Sequence, residues 1–486
     1  MIFTSFQFFL CFPLLFLAHH WCCDRMRRPL ILLASLGFYA AFWQPHLLVA
    51  LAVVVTVTYL LGLRLGAAAT TRRRKGFFWS GIIANIGVLI AVKYLPAIFA
   101  GLNIVAGWLP LPLSFTDRPV LVSIGVSYFV FQAISYLIDI YLEIIEPERD
   151  FGVFAIYLSF FPKLLQGPIE RAGDLLPQLH APYRFDYHMV RSGLLLFAWG
   201  MFEKLVVADR LAIYVDMVYG NVRGNTSLAL ICATWLYAFQ IFFDFAGYTD
   251  MALGLGRLFN IRLTQNFNAP YLATSIADFW RRWHISFSRW ILDYIFKPLQ
   301  MKWRNHGTAG TVTALVVTFF VSGVWHGATW GFVIWGLLHG LYLGASVIVK
   351  PYQKKVHSVL GIKGTLFLKV WQTIVTFNLV CLAWVFFRAG TFSDAWYVVT
   401  HTVIDSGSAL IHGSIVDLKD LGVGRTKLYQ SFLPMVATLG VFLLKDRIDF
   451  FARPRWLRWT AYYLLVYLIL FHGITSDKPQ FVYFQF

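Results

Sequence analysis

Two histidines in strongly apolar sequence are the side chains of this chain best suited to acid–base chemistry. His284 ends the run DFWRRWH, and His326 lies in the run SGVWHGA. A neutral imidazole titrates near neutral pH, so it can take a proton from a hydroxyl group and return one to a leaving group. The two runs therefore predict an acid–base site within residues 278–339, in which His326 and His284 carry the chemistry.

Charged residues of the same stretch could support such a site. Asp278 supplies a carboxylate close to His284 in sequence. Three arginines supply fixed positive charge: Arg281, Arg282 and Arg289. A guanidinium group suits an anionic acyl donor, and it equally suits pairing with a buried carboxylate such as Asp244. The residues alone leave both alternatives open.

Small and aromatic residues flank His326. The small ones leave room for a substrate beside the imidazole ring; they are Ser322, Gly323, Gly327 and Ala328. Trp325 and Trp330 could wall the same space. This pattern predicts a cavity next to His326.

Other kinds of chemistry find little support in the chain. No serine or cysteine occupies a recognisable nucleophile elbow, and no glycine-rich phosphate loop precedes a predicted helix. The five cysteines lie in or beside apolar runs without metal-ligand spacing, so we expect neither a metal site nor a disulfide framework. The residues therefore predict an acid–base site with positively charged side chains nearby, and nothing more specific.

The composition places this site in a membrane protein. Of 486 residues, 58% are hydrophobic, 18% are aromatic and only 13% are charged, and the mean hydropathy is +0.64. A soluble globule of this length needs more polar surface. Apolar runs of helix-spanning length recur without apolar–polar alternation, which favours an all-α polytopic bundle over a barrel. We predict one integral membrane domain over residues 1–486, embedded in the lipid bilayer.

The net charge of +17 is interpreted as a sign of membrane topology, and we expect no nucleic acid partner. Basic residues cluster at the ends of apolar runs, where cytoplasmic loops are enriched in lysine and arginine. If the clusters at 302–304 and 350–355 are both cytoplasmic, the intervening ~40 residues make two passes of roughly 30 Å each. This prediction places His326 toward the outer half of the membrane.

Most apolar runs predict simple crossings. The expected helices cover residues 2–21, 29–43, 46–65, 77–99, 120–141, 190–207, 228–245, 311–321, 331–349, 366–387, 433–444 and 459–471. Residues 151–165 are barely long enough to span and run into the polar turn QGPIER, which favours a re-entrant segment. Residues 101–118 and 390–427 are expected to be connections. The aromatic tail 481–486 is expected to pack on the bundle or at the membrane interface.

Two carboxylates fall within or beside a predicted membrane helix. Asp244 and Asp250 belong to the run FFDFAGYTDM. A carboxylate at that depth is costly unless it is paired or faces water, so both are expected to point toward the protein interior. A structural ion pair with an arginine of the central stretch is the simplest interpretation.

The two histidine runs together resemble the signature of the membrane-bound O-acyltransferase family, in particular its bacterial branch containing the alginate O-acetyltransferase membrane subunit. The runs FQA, SFFP, QGPI and FDFAGY and the ending YFQF are similar to the same branch. The resemblance implies a ring of about 11 transmembrane helices with re-entrant segments around a central tunnel. It makes His326 the catalytic histidine and His284 the second polar active-site position, supported by Asp278, Trp283 and Trp325.

The activity implied by this resemblance is transfer of an acyl group across a membrane. We expect an O-acetyltransferase whose donor is acetyl-coenzyme A or another cytoplasmic acyl thioester, with Arg281, Arg282 and Arg289 as donor-binding residues and no bound cofactor. The acceptor is expected to be an exported polysaccharide of the alginate, peptidoglycan or cellulose type, served by a periplasmic acetyltransferase partner protein. The implied location is the bacterial inner membrane, with the chain crossing it many times.

Alternatives remain at the levels of mechanism and function. His326 could act as a general base, or it could carry the acyl group transiently itself. A D-alanyl transferase for teichoic acid shares the histidine motif and uses a carrier protein as donor. A channel or flippase would use the polar centre as a pathway without any chemistry.

Overall fold

The computed structural model describes residues 2–108, 125–327, 329–411, 425–444 and 450–474. Helices account for nearly all of the regular structure, and no β-strand occurs among these residues. The first helices are α1 (Phe6–Trp21), α2 (Asp24–Ala40), α3 (Pro45–Gly66), α4 (Thr71–Leu89), α5 (Leu95–Trp108), α6 (Val126–Tyr141), α7 (Phe151–Ser159), α8 (Phe161–Leu164), α9 (Ala172–His180), α10 (Tyr187–Phe202) and α11 (Asp209–Tyr219). The later helices are α12 (Ser227–Leu258), α13 (Ile276–Arg282), α14 (Ile285–Ile291), α15 (Lys297–Lys302), α16 (Gly307–His326), α17 (Trp330–Val359), α18 (Leu366–Arg388), α19 (Phe392–Ile411), α20 (Arg425–Leu444) and α21 (Arg455–His472).

The predicted all-α membrane fold is confirmed. Among the residues described, six helices are long and apolar enough to cross a bilayer; they are Pro45–Gly66, Thr71–Tyr94, Ser227–Leu258, Arg304–His326, Trp330–Val359 and Leu366–Arg388. Four shorter apolar helices accompany them: Phe6–Trp21, Ile98–Trp108, Val126–Tyr141 and Phe432–Val441. The total of about 11 crossings, the ring and the tunnel stay predictions.

Two compact units make up the described chain. One contains the described residues of Met1–Gly200 and Tyr248–Gln265, and the other those of Met201–Gly247 and Asn266–Pro479. Both histidine runs belong to the second unit. The single domain over 1–486 stays a prediction.

Within the second unit, α16 and α17 pack against each other through glycines. A Cβ atom added at Gly323 would lie 2.4 Å from the Phe332 carbonyl oxygen, and one added at Gly336 would lie 2.3 Å from the Phe319 carbonyl oxygen. Only glycine allows two helix backbones to approach this closely. These glycines therefore fix the position of the C-terminal end of α16, where His326 lies.

A helix break within the first unit interrupts the segment that was predicted to be re-entrant. Phe160 separates α7 from α8, with φ −50° and ψ 110°. The Phe161 N–H that the break releases donates to the Ser35 hydroxyl at 3.1 Å, in a buried position. Such a substitute partner is what a broken backbone needs away from water. The sequence predicted a helix break only at the QGPIER turn, where α8 has indeed ended; the earlier break at Phe160 was not predicted, and re-entry from one membrane face stays a prediction.

Three expectations about elements need correction or fall outside the described residues. Residues 101–108 were expected to begin a connection but complete α5, and residues 392–411 form α19 instead of a polar connection. The tail 481–486 lies outside the described residues, so its expected packing stays a prediction.

The predicted ion pair of Asp244 exists with a different cation. The Lys204 ammonium lies 2.5 Å from Asp244 and 2.8 Å from Asp209, and the lysine and Asp244 are almost completely buried. Lys204 sits on a π-helical turn, Glu203–Ala208, between α10 and α11. An arginine of the central stretch was the wrong partner, because Arg281 and Arg282 both pair with Asp278.

Candidate active site

His326 is the last residue of α16, and a carbonyl group of the same helix determines the tautomer of its neutral ring. The imidazole is 5% exposed, and its Nδ1 atom lies 2.7 Å from the Ser322 carbonyl oxygen, one turn earlier in the helix. A carbonyl oxygen only accepts hydrogen bonds, so Nδ1 must be the protonated nitrogen. The lone pair of the neutral imidazole is then on Nε2, which is the atom able to act as a base.

His284 joins α13 to α14 in a left-handed backbone conformation, with φ 41° and ψ 57°. Asn266 stabilises this corner: its carbonyl oxygen accepts the Ile285 N–H at 2.9 Å, and its side-chain oxygen accepts the Ser286 N–H at 3.1 Å. The imidazole is 2% exposed. Burial lowers the pKa of His284 well below its usual range, and the neighbouring His326 lowers it further. His284 is therefore neutral at physiological pH.

Phe287 connects the two imidazoles. Its ring stacks on His284 at a centroid distance of 5.1 Å and meets His326 edge-on at 6.0 Å. Trp325 also stacks on Phe287, at a centroid distance of 4.5 Å, and its ring lies 4.4 Å from the His326 ring. The structure thus brings His284, His326 and Trp325 together, as predicted, in a nearly water-free aromatic environment that strengthens any hydrogen bond made inside it.

The residues expected to line a cavity have different roles. A Cβ atom at Gly327 would lie 2.4 Å from the Phe332 ring, and the face of Gly323 is covered by α17, so these glycines serve helix packing. Trp330 is 73% exposed, so the expectation that it walls the space beside the His326 imidazole is wrong. Ala328 lies outside the described residues.

Asp278 organises the arginines that were expected to bind the donor. Its carboxylate lies 3.1 Å from Arg282 and 3.5 Å from Arg281, and it accepts the Thr274 N–H at 3.2 Å. Burial alone would raise the pKa of Asp278, but the hydrogen bonds from Arg282 and from the Thr274 N–H outweigh it and leave the pKa below its usual value. Asp278 thus stays ionised. Arg289 is exposed on α14.

Trp283 and His339 pack against other aromatic residues of the site. Trp283 is 1% exposed and stacks on Phe279 at 5.5 Å with an interplanar angle of 17°. His339 is fully buried on α17, and its Nδ1 accepts the Trp280 indole N–H at 3.2 Å. That bond makes His339 a structural partner of Trp280.

Sequence reasoning missed two tryptophans in this cluster. Trp335 lies 4.6 Å from the His326 ring, and Trp384 of α18 stacks on Trp335 at 5.8 Å. A signal existed for the first, since Trp335 precedes His339 by one helical turn and must share its face of α17. For Trp384 the sequence offers no comparable signal, because its place depends on how α18 packs.

The described residues contain no group of three or more histidine, cysteine or acidic side chains that could hold a metal ion. The chemistry available within this part of the chain is that of two buried imidazoles, of which His284 is neutral, together with buried indoles and a charged rim at Asp278. Fold and site together define a polytopic membrane protein in which two buried histidines lie in an aromatic cluster that is largely shielded from water.

Comparison with known proteins shows which family this chain resembles. A model of the membrane-bound O-acyltransferase family matches residues 150–359, which include both histidine runs. The chain is 31% identical to a peptidoglycan O-acetyltransferase of Helicobacter pylori, over 94% of this chain and 91% of that protein. It is 34% identical to a probable alginate O-acetylase, AlgI, of Pseudomonas aeruginosa, over 82% of this chain and 74% of that protein. A teichoic acid D-alanyltransferase of Bacillus subtilis is 26% identical over 55% of this chain and 69% of that protein.

The chain belongs to the membrane-bound O-acyltransferase family. It is a multi-pass membrane acyltransferase, and the predicted family and its alginate-type branch are confirmed.

Proposed function

We propose that this protein is an O-acetyltransferase that moves acetyl from a cytoplasmic thioester across the bacterial inner membrane, for O-acetylation of an exported polysaccharide. The observation that carries the proposal is the His326 tautomer: Nδ1 donates to the Ser322 carbonyl oxygen at 2.7 Å, so Nε2 holds the lone pair that a general base needs. His326 is the catalytic base, and neutral His284 orients the reacting groups.

The proposed reaction takes one proton from the acceptor and gives it to the donor's sulfur. The acceptor hydroxyl oxygen attacks the thioester carbonyl carbon while its proton passes to Nε2 of His326. The carbonyl electrons move onto oxygen; when they return, the C–S bond breaks and the thiolate takes the proton from the imidazolium. Ester and free thiol are the products, so His326 ends in its starting state.

The names of the relatives support acetyl as the group transferred. The two relatives named for O-acetylation match 94% and 82% of this chain, whereas the one named for D-alanyl transfer matches 55%. Peptidoglycan and alginate are the acceptors that those names contain, and cellulose remains a third candidate. A periplasmic acetyltransferase partner would pass the group to the polymer.

The arginines differ in their availability to an anionic donor such as acetyl-coenzyme A. The Arg281 side chain is 73% exposed, and the Arg282 side chain is 33% exposed and closer to Asp278. Arg281 and Arg289, which are both exposed, are therefore proposed to contact the donor's phosphates before Arg282 does, since a guanidinium binds phosphate in a bidentate manner.

The test follows radiolabelled acetyl from acetyl-coenzyme A in membranes that carry the wild-type chain or His326→Ala. Protein and polysaccharide fractions are counted separately. General acid–base assistance contributes about 100- to 10,000-fold, so His326→Ala is expected to reduce transfer by that order. His339→Gln is the matched control: it replaces a buried histidine of the neighbouring helix and keeps an acceptor for Trp280.

Each result has a defined meaning. Label that depends on His326 but not on His339 supports the acetyltransferase, and label that stays on this chain when acceptor is withheld favours an acyl-His326 intermediate over direct attack. Full transfer by a stably inserted His326→Ala chain contradicts the base assignment. Transfer of D-alanine from a carrier protein, with none of acetyl, would move the chain to the other named activity.

A further inference from the structure

We propose that the indole N–H of Trp335 is a catalytic hydrogen-bond donor, which binds the carbonyl oxygen of the acyl group as negative charge develops on it. The inference rests on the proposed acyl transfer at His326. Acyl transfer needs a base and also a hydrogen-bond donor for the oxyanion. The proposal assigns the second role to Trp335, a residue outside both histidine runs.

Trp335 lies against the catalytic imidazole. Its ring is 4.6 Å from that of His326, centroid to centroid, at an interplanar angle of 66°. The side chain is 1% exposed. An acyl carbon attacked by an oxygen whose proton goes to His326 must lie within a few ångströms of that imidazole, at about hydrogen-bond reach. A donor that contacts the same ring is thus within range of the acyl oxygen.

The Trp335 N–H has no hydrogen-bond partner within the described part of the chain. An orphaned buried donor costs about 1–3 kcal/mol, so folded proteins normally supply an acceptor. In this cluster the Trp280 N–H donates to His339, whereas the N–H groups of Trp335 and of the stacked Trp384 have no acceptor among the described residues, and of these two rings only that of Trp335 contacts His326. An indole left without an acceptor beside the catalytic base is a donor kept for a ligand.

The surrounding rings hold Trp335 in place. Trp384 stacks on it at 5.8 Å and 19°, while Phe387 and His339 contact it edge-on at 5.3 and 5.2 Å. A buried side chain packed on several sides has little freedom to change rotamer. Its N–H dipole is therefore oriented before the donor binds, which is the condition under which a single hydrogen bond lowers a barrier most.

The step assigned to Trp335 involves no bond breaking of its own. As the acceptor oxygen bonds to the acyl carbon, the C=O electrons move to oxygen, and the indole N–H donates to that oxygen. When the C–S bond breaks, the electrons return and the hydrogen bond weakens. Tryptophan keeps its proton throughout, so the exchange between His326 and the thiolate still balances.

The experiment measures kcat and KM for acetyl-coenzyme A with Trp335→Phe in membranes where the wild-type chain transfers label. Loss of one oxyanion donor is expected to lower kcat about 100- to 1,000-fold. The KM should stay within about twofold, because the lost bond is strong only in the transition state. Trp280→Phe is the matched control. It removes the same atoms from the same cluster but leaves His326 untouched, so its kcat is expected to fall less than about tenfold.

A pH–rate profile separates this role from a positioning role. An indole N–H does not titrate, so Trp335→Phe should lower the whole profile and leave its midpoints in place. Shifted midpoints would mean that the ring acts through His326, and would overturn the proposal. Unchanged kcat would overturn it as well, while the loss of activity in His326→Ala would leave the proposed function standing.

A second variant covers the case in which Trp335→Phe does not fold. Replacement of Trp335 by 3-benzothienylalanine keeps the shape of the ring and substitutes sulfur for the N–H group. The same fall in kcat is expected. Wild-type kcat with this analogue would show that only the shape of the ring matters.

Discussion

At the scale of the residue, the backbone of His284 limits what can replace its side chain. Its φ of 41° lies in the left-handed region, which β-branched and most other residues avoid and which asparagine, aspartate and histidine tolerate. Asparagine is also neutral and offers both a donor and an acceptor. His284→Asn therefore tests the imidazole without adding backbone strain.

His284→Asn is expected to flatten the dependence of stability on pH. The lowered pKa means that above pH 6.5 the folded and unfolded chains are both neutral at this position. Below pH 6.5 only the unfolded chain binds the proton. The stability of the wild-type chain therefore decreases as the pH is lowered, by up to about 1.4 kcal/mol per pH unit, until the pH reaches the lowered pKa of the folded chain. Apparent Tm values of both chains between pH 5 and 8 measure this. Parallel curves would contradict the neutral assignment.

The pair of His339 and Trp280 predicts a loss of stability that is separate from activity. His339→Leu removes the acceptor of the Trp280 N–H, so the buried donor is left unsatisfied and unfolding should become easier by about 1–3 kcal/mol. His339→Gln, which can still accept, is the control. Thermal unfolding in detergent compares them. Equal stability of the two variants would show that the bond contributes nothing.

Both catalytic candidates could be predicted from residue types and spacing, but their states could not. The His326 tautomer depends on a carbonyl oxygen one turn earlier in α16, which becomes visible only when the ring is placed. The pairing of Asp278 with two arginines was open in the sequence, because a guanidinium fits a donor phosphate and a carboxylate equally well.

At the scale of the element, the contact between α16 and α17 depends on glycine. A Cβ atom at Gly336 would lie 2.3 Å from the Phe319 carbonyl oxygen and 3.0 Å from Gly323. Gly336→Ala must push the helices apart, so we expect about 1–3 kcal/mol of lost stability and lower turnover, because His326 and Trp335 lie on the two helices. Unfolding and transfer assays measure both effects.

Gly87→Ala provides the control for this substitution. Gly87 lies in α4 with no atom within 4 Å of an added Cβ. Alanine there should stabilise the helix by about 0.5–1 kcal/mol, because it restricts the unfolded backbone. If both alanines had the same effect, close helix packing would not explain Gly336.

Most helices could be predicted from the apolar runs. Two segments that were predicted to be connections are helical instead, and the reasons can be identified. Gly101 and Gly107 suggested a loop, yet both lie in α5, where glycine is tolerated. The start of α19 carried a readable signal that was overlooked. Thr391 accepts the Asp394 N–H at 3.1 Å and donates to its carboxylate at 2.7 Å, which is a capping arrangement typical of helix N-termini.

At the scale of the whole molecule, the composition was sufficient to predict the fold class. The basic clusters were sufficient to predict a membrane topology. The number of crossings could not be derived in the same way, since several helices are too short or too polar to be assigned by hydropathy alone. The division into two compact units could not be foreseen either, because it depends on contacts between residues far apart in sequence.

The predicted topology can be tested by cysteine labelling in a chain without its five native cysteines. Asn305→Cys and Lys354→Cys are exposed beside basic clusters and should react with an impermeant reagent only from the cytoplasmic side. Thr329→Cys, exposed between α16 and α17, should react only from the outer side. Labelling of Thr329→Cys from the cytoplasm alone would reverse the position predicted for His326.

The buried Lys204 cluster has a consequence for how the chain is made. Lys204 and Asp244 are 40 residues apart, so at ~5–20 residues per second the ribosome completes the lysine roughly 2–8 s before its partner. If this segment crosses the bilayer, as its apolar run predicts, an unpaired lysine there costs about 2.5–3.5 kcal/mol and would hinder release of α10 from the insertion machinery. Asp209, 2.8 Å from the same ammonium, follows about one helical turn later. Its carboxylate neutralises the nascent helix from the start, and Asp244 joins the cluster when α12 inserts.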